Sequence, residues 1–200
     1  MYIYDRLKKY TDFSLGKSNV DYELVYKDIL LNSVIFTGYD LNNSSFLEVQ
    51  FKQCDFSNVY LSGASLCGST FDHCIFQQNI FRKGFCDYTR FDFTTFEFLD
   101  SFRTSYYEAF FSNVRFQNSR LERSYFDNSE FINTQFKNVE FNESSFDNCK
   151  FKDVKFEKCN FNKTSFKNVK DIDSIFFENV NLSLGSQIIS NLGNEIKCYL

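Results

Sequence analysis

Apolar positions recur along this chain at every fifth residue. From residue 111 to residue 166 the series Phe111, Phe116, Leu121, Phe126 and so on to Phe166 has no exception. Two residues ahead of each member stands a small one, such as Ala109, Val114, Ser129, Thr134 or Cys149. A helix shows its apolar stripe at about 3.6 residues and a strand at about 2, so neither buries a sustained period of five. The pattern is a repeat unit in its own right, and such units bury their apolar face against the copies stacked on them. The regular phase covers residues 34–168 as 27 units, in which 25 centres are Phe, Leu or Tyr and 20 of those are Phe.

The two ends depart from the period. Residues 1–23 do not repeat, but Ile3, Leu7 and Tyr10 have helical spacing and predict a short helix capping the first coil. A degenerate repeat begins at Leu24. After Asn168 the apolar positions move by one, to Ile172, Phe177 and Leu182, consistent with a single extra residue at about 169–171. Residues 184–192 then read as a short helix with Ile188, Ile189 and Leu192 on one side and Gly193 as its stop. Residues 196–200, including Ile196 and Leu200, read as a terminal strand.

The tandem small-x-Phe/Leu-x-x unit resembles the pentapeptide-repeat family. The resemblance implies an all-β, right-handed quadrilateral β-helix of four repeats and twenty residues per coil, with the Phe/Leu and the small residue both pointing inward. On that fold the chain divides into an N-terminal cap (1–23), a β-helix (24–182) and a C-terminal helix and strand (183–200). Cys54 and Cys74 then stack one coil apart, where they serve as small buried fillers; a disulfide between them is geometrically conceivable.

One internal stretch breaks the repeat. Between residues 79 and 105 two centres become Cys86 and Ser101, and two small slots become Asn79 and Leu99. Outward slots there carry Phe85, Tyr88, Phe93, Phe98 and Phe102, followed by Tyr107 and Phe110. Either this is an imperfect coil, or residues 97–105 form a loop that leaves the rod and presents Phe98, Leu99, Phe102 and Arg103 to a partner. The run FRTSYYEAFF over residues 102–111, followed by Leu121-Glu-Arg, looks like the segment after the projecting loop of the Qnr proteins, which with MfpA form the topoisomerase-protecting quinolone-resistance subfamily. The shorter first loop of that subfamily has no counterpart here, because residues 49–56 keep strict phase.

Composition narrows the chemistry. A net charge of −4 argues against direct nucleic-acid binding, which needs clustered Lys and Arg. No apolar run reaches transmembrane or signal-peptide length, and the seven cysteines are an odd number, so a soluble cytoplasmic protein without membrane contact is expected. The one histidine, His73, sits in an outward slot without a nucleophile at a meaningful spacing. No phosphate loop, zinc-type Cys/His pairing or nucleophile elbow is present, so no enzyme activity, cofactor or metal is expected.

What remains is a surface. Residues twenty apart stack vertically, and one face collects Glu48, Asp87, Glu108, Asp127 and Asp147 with Lys167 as its basic member. Its neighbour mixes Arg82, Lys83, Arg103, Arg120 and Arg123 with Asp100, Glu122, Glu140 and Glu143. The acidic face is either an ordinary solvated side or, as the Qnr/MfpA resemblance implies, a DNA mimic for the basic saddle of DNA gyrase and topoisomerase IV. The resemblance further implies a homodimer through the C-terminus, with Ile188, Ile189, Leu192, Ile196 and Leu200 as its contacts; a monomeric cap is the alternative. A structural scaffold or immunity protein with an unrelated partner is the competing function.

Overall fold

The computed structural model describes residues 2–184 and 187–199. The chain winds into a square solenoid of about eight turns. Short parallel strands pair at an offset of twenty residues, so that Phe51, Phe71, Phe91, Phe111, Phe131 and Phe151 lie one above another on the first side. Phe76, Phe96, Phe116, Phe136 and Phe156 do the same on the second. The third side is defined by bridges such as Ile80↔Asp100 and Asp100↔Arg120. The fourth runs through Ser65↔Phe85, Phe85↔Ser105 and Ser105↔Tyr125. Backbone N–H groups donate to the next coil throughout, as in Phe126 N to Ser145 O at 2.8 Å. A proline would remove such a donor, and the chain has none.

Each side ends at a corner where the backbone turns through the left-handed region. The second half places asparagine there repeatedly, with Asn113, Asn118, Asn133 and Asn138 at φ between 46° and 55°. Asparagine tolerates this conformation because its short amide bonds locally. Here the amides also ladder between coils: Asn133 Nδ2 donates to Asn113 Oδ1 at 2.6 Å and Asn138 Nδ2 to Asn118 Oδ1 at 2.8 Å.

Inside, the aromatic rings stack within each column and meet the neighbouring column edge-on. Phe126 and Phe146 lie 4.8 Å apart at 7°, whereas Phe136 meets Phe141 at 75°. The small slot has a second requirement besides size. Its hydroxyl or thiol donates to the carbonyl of the centre residue in the coil below, as in Ser129 Oγ to Tyr106 O (2.7 Å), Thr104 Oγ1 to Phe81 O (2.6 Å) and Cys149 Sγ to Phe126 O (2.9 Å). These buried hydroxyls and thiols thereby find an acceptor, whereas Asn79, in the same slot, donates from Nδ2 to Phe56 O and has no partner for Oδ1 among the described residues. Cys54 and Cys74 follow this pattern, bonding Leu31 O and Phe51 O, and both are free thiols rather than a disulfide.

Burial also sets a pH limit. It pushes the Cys159 thiol up to about 12 from its ordinary 9.0, and it raises Cys86 and the Tyr106 phenol as well. A group held protonated in the fold stabilises fully below its unfolded pKa, and the stabilisation is lost as pH rises toward the folded value. Stability is therefore expected to fall between pH 9 and 12, by about 1.4 kcal/mol per pH unit for Cys159. Urea midpoints across that window check this, and Cys159→Val flattens the slope.

Residues 97–105 do not leave the rod. Phe98 N, Ser101 N and Arg103 N donate to Gln117, Arg120 and Glu122 carbonyls in the coil above, while Asp100 N and Ser105 N reach Asn79 and Gly84 below. The stretch is an imperfect coil that compensates internally. Leu99 and Ser101 exchange sizes: leucine is buried in the small slot, and serine in the large one. The space left beside Ser101 is reached by Tyr106, whose hydroxyl lies 3.0 Å from Ser101 Oγ. At the other small centre, Cys86, the Phe81 ring swings over Gly84, where an added Cβ would stand 1.9 Å from Phe81 Cε2.

Both ends are closed. Helix α1 (Ile3–Ser14) buries Leu7 and Tyr10, donates from Tyr10 Oη to Asn42 O, and accepts Asp40 N at Thr11 Oγ1 (3.0 Å). At the other end the extra residue is present: pairing changes from Lys150↔Lys170 to Val154↔Ile175, across a left-handed Asp171 and a 3-10 turn at Ile172–Ser174. The expected helix over 184–192 is instead a strand, Gln187–Leu192, antiparallel to Val180–Leu184. The last coil leaves a row of unpaired backbone groups that a strand satisfies and a helix cannot. The expected terminal strand is a 3-10 turn, Asn194–Cys198, that buries Ile196.

Candidate protein-binding side of the rod

The fourth side carries the acidic residues, in two adjacent columns. Asp87, Asp127 and Asp147 share the position just after the inward centre, above and below Tyr107, and Glu48 and Glu108 share the neighbouring corner. Cys67 and Gly68 separate Glu48 from the rest, so the unbroken run is Asp87, Glu108, Asp127 and Asp147.

The three aspartate carboxylates are held rather than loose. Asp127 Oδ1 accepts Asp147 N at 3.0 Å and the Ser145 hydroxyl. Asp147 Oδ1 accepts Lys167 N at 2.8 Å and the Ser165 hydroxyl, and Asp87 Oδ1 accepts Tyr107 N at 3.1 Å and the Ser105 hydroxyl. One oxygen of each is thus pinned to the next coil. Among the described residues none of the five acids is in an ion pair. By contrast Asp92, Asp100, Glu122, Glu143 and Glu157 each meet an Arg or Lys, as in Arg123 Nε to Glu143 Oε2 at 2.9 Å.

Aromatic side chains stand among these acids. Phe85, Tyr88, Tyr107 and Tyr125 are all exposed, Tyr88 by 60 %. Tyr88 and Tyr107 meet edge to face at 6.1 Å, and the Glu108 carboxylate, accepting the Tyr107 hydroxyl, raises that phenol's pKa. Tyr125 was not singled out from sequence. Its signal is the twenty-residue column, where it replaces the serines found at 45, 65, 105, 145 and 165.

The four residues expected on a loop are not brought together. Leu99 is in the core, and Phe98 occupies the corner between the second and third sides. Phe102 lies half-buried on the third side beneath the Arg103 and Arg123 guanidinium groups at 5.2 and 5.6 Å. His73 packs on Phe93 at 4.8 Å with Asp72 beside its Nδ1, on the first side. Of the five residues expected at a C-terminal interface, Ile188 is 73 % exposed and Ile189 half-buried, but Leu192 and Ile196 belong to the core. Leu200 lies outside the described residues. No helix among the described residues is long and apolar enough to cross a membrane.

Residues 104–185 match a family model described as a pentapeptide repeat region. No curated protein sequence matches the chain. Among solved structures the chain is similar to a trypsin-treated form of QnrB1, a plasmid-mediated fluoroquinolone resistance protein, at 14 % identity and a TM-score of 0.46, over 80 % of this chain and 90 % of that one. It is also similar to HetL, a pentapeptide repeat protein involved in heterocyst differentiation regulation from the cyanobacterium Nostoc, at 12 % identity and a TM-score of 0.32, over 93 % and 99 %. Rfr23 from the cyanobacterium Cyanothece follows at 10 % identity and a TM-score of 0.24, over 76 % and 86 %.

Proposed function

Residues 104–185 are a pentapeptide repeat region, and from that premise we propose that the rod is a non-enzymatic protein-binding element whose fourth side engages a type II topoisomerase, DNA gyrase or topoisomerase IV, as a mimic of DNA. In this role it protects the enzyme from fluoroquinolones or gyrase-poisoning toxins, and it works in the cytoplasm.

The observation that carries the proposal is the unpaired state of Asp87, Glu108, Asp127 and Asp147. On other sides Asp100, Glu143 and Glu157 each meet a cation from the neighbouring coil, whereas these four adjacent acids meet none among the described residues. Asp127 and Asp147 are one coil apart, about 4.8 Å along the rod, against about 3.4 Å of axial rise per phosphate along a DNA strand. Carboxylates at that spacing can meet the same basic groove. The resemblance of residues 102–111 to the Qnr segment directs the choice of enzyme.

Purified protein is expected to restore gyrase supercoiling in the presence of a fluoroquinolone. The combined variant D87N, E108Q, D127N and D147N is expected to lose that effect, since each amide keeps its hydrogen-bond acceptor and loses only charge. Supercoiling unaffected across a wide concentration range overturns the gyrase assignment, and a pulldown without any topoisomerase subunit then points to an unrelated partner. The exposed terminal strand, with Ile188, is assigned to pairing with a second copy; light scattering at micromolar concentration gives twice the chain mass if so, and the monomer mass if not.

A further inference from the structure

We propose that the aromatic strip on the fourth side, Phe85, Tyr88, Tyr107 and Tyr125, docks an arginine-rich segment of a protein partner. The rod itself supplies the precedent. Three outward rings on other sides are covered by cations of the same chain: Arg90 lies 4.2 Å over Phe110, Arg103 and Arg123 lie over Phe102, and Lys155 Nζ lies 5.4 Å over Phe176. Among the described residues no cation lies over Phe85, Tyr88, Tyr107 or Tyr125.

Their neighbours are instead Asp87, Glu108 and Asp127, which face no cation either. Ring faces and carboxylates together fit a guanidinium, which stacks on an aromatic plane while its edge donates to an oxygen pair. A compact ammonium gains less from the ring. Phe85 and Tyr125 bracket Ser105 in one column, so their rings stand two coils, about 10 Å, apart. An extended segment with arginines a few residues apart spans that distance.

Docking here rests on the protein-binding reading above but not on gyrase as the partner. The test uses the full chain with fluorescent oligo-arginine and oligo-lysine peptides of equal length, at several salt concentrations and without any topoisomerase. The arginine peptide is expected to bind roughly tenfold tighter than the lysine peptide. The variant F85S, Y88N and Y125S takes residues that the same columns carry in other coils, such as Ser65, Asn128 and Ser145. It is expected to fold as the parent does and to lose the arginine preference. F93N and F98N, on other corners, are expected to leave it intact.

Equal binding of the two peptides, or an unchanged triple variant, overturns the proposal. Retained arginine preference with no effect on supercoiling overturns the gyrase assignment alone. No arginine preference in the parent chain, with supercoiling protection intact, overturns the strip alone.

Discussion

Phe126→Ala is expected to lower the unfolding free energy by about 3–5 kcal/mol, the cost of emptying a large buried aromatic site. The ring is sandwiched between Tyr106 and Phe146, each at 4.8 Å, and is flanked by Phe111, Phe131 and Phe141 in the adjoining columns. None of these can collapse into the space without breaking its own stack. Phe126→Leu is expected to cost far less, because Leu66 fills the same column three coils below. Urea titration of the three proteins separates the outcomes, and a Phe126→Ala cost below about 1 kcal/mol contradicts a load shared through the stacked rings.

Gly84→Ala is expected to destabilise by about 1–3 kcal/mol or more, although alanine, serine or threonine fills the equivalent slot in neighbouring coils at Ala64, Thr104 and Ser124. The added Cβ would stand 1.9 Å from the Phe81 ring, which occupies the room left by Cys86. Phe81→Leu withdraws that ring, and leucine is the residue that the same column carries at Leu61 and Leu121. The double variant should therefore be more stable than the sum of the two single effects by at least about 0.5–1 kcal/mol. Additive losses contradict the displacement of Phe81 into the Gly84 slot.

The square coil was legible because its period is incompatible with any other element, and because each centre tests the same hypothesis again. The N-terminal helix was legible from Ile3, Leu7 and Tyr10, and the extra residue near 170 from a phase shift. The irregular coil stays open between two readings in the sequence because each slot is judged by itself. Leu99 and Ser101 are errors separately and a compensated pair together, as are Gly84 and Phe81. At the C-terminus Ile188, Ile189 and Leu192 fit a helix by spacing, but the unpaired edge of the last coil selects a strand, and local periodicity carries no information about that edge.

The acidic side was legible as a set of positions and not as a set of partners. That Asp127 and Asp147 are unpaired while Glu143 meets Arg123 depends on what lies one coil away. The aromatic members were visible singly, but Tyr125 belongs with Phe85 only once residues twenty apart are superposed.

Twenty-residue registry also governs how such a chain can change length. Gain or loss of a whole turn lengthens or shortens the rod and leaves every later residue on its own side. Gain or loss of one unit of five preserves the core equally well, yet rotates everything beyond it by a quarter turn, so that Asp127 and Asp147 would face the neighbouring direction from Asp87. A deletion harmless to folding can thereby split the surface a partner reads, and length variation is tolerated in steps set by display rather than by packing.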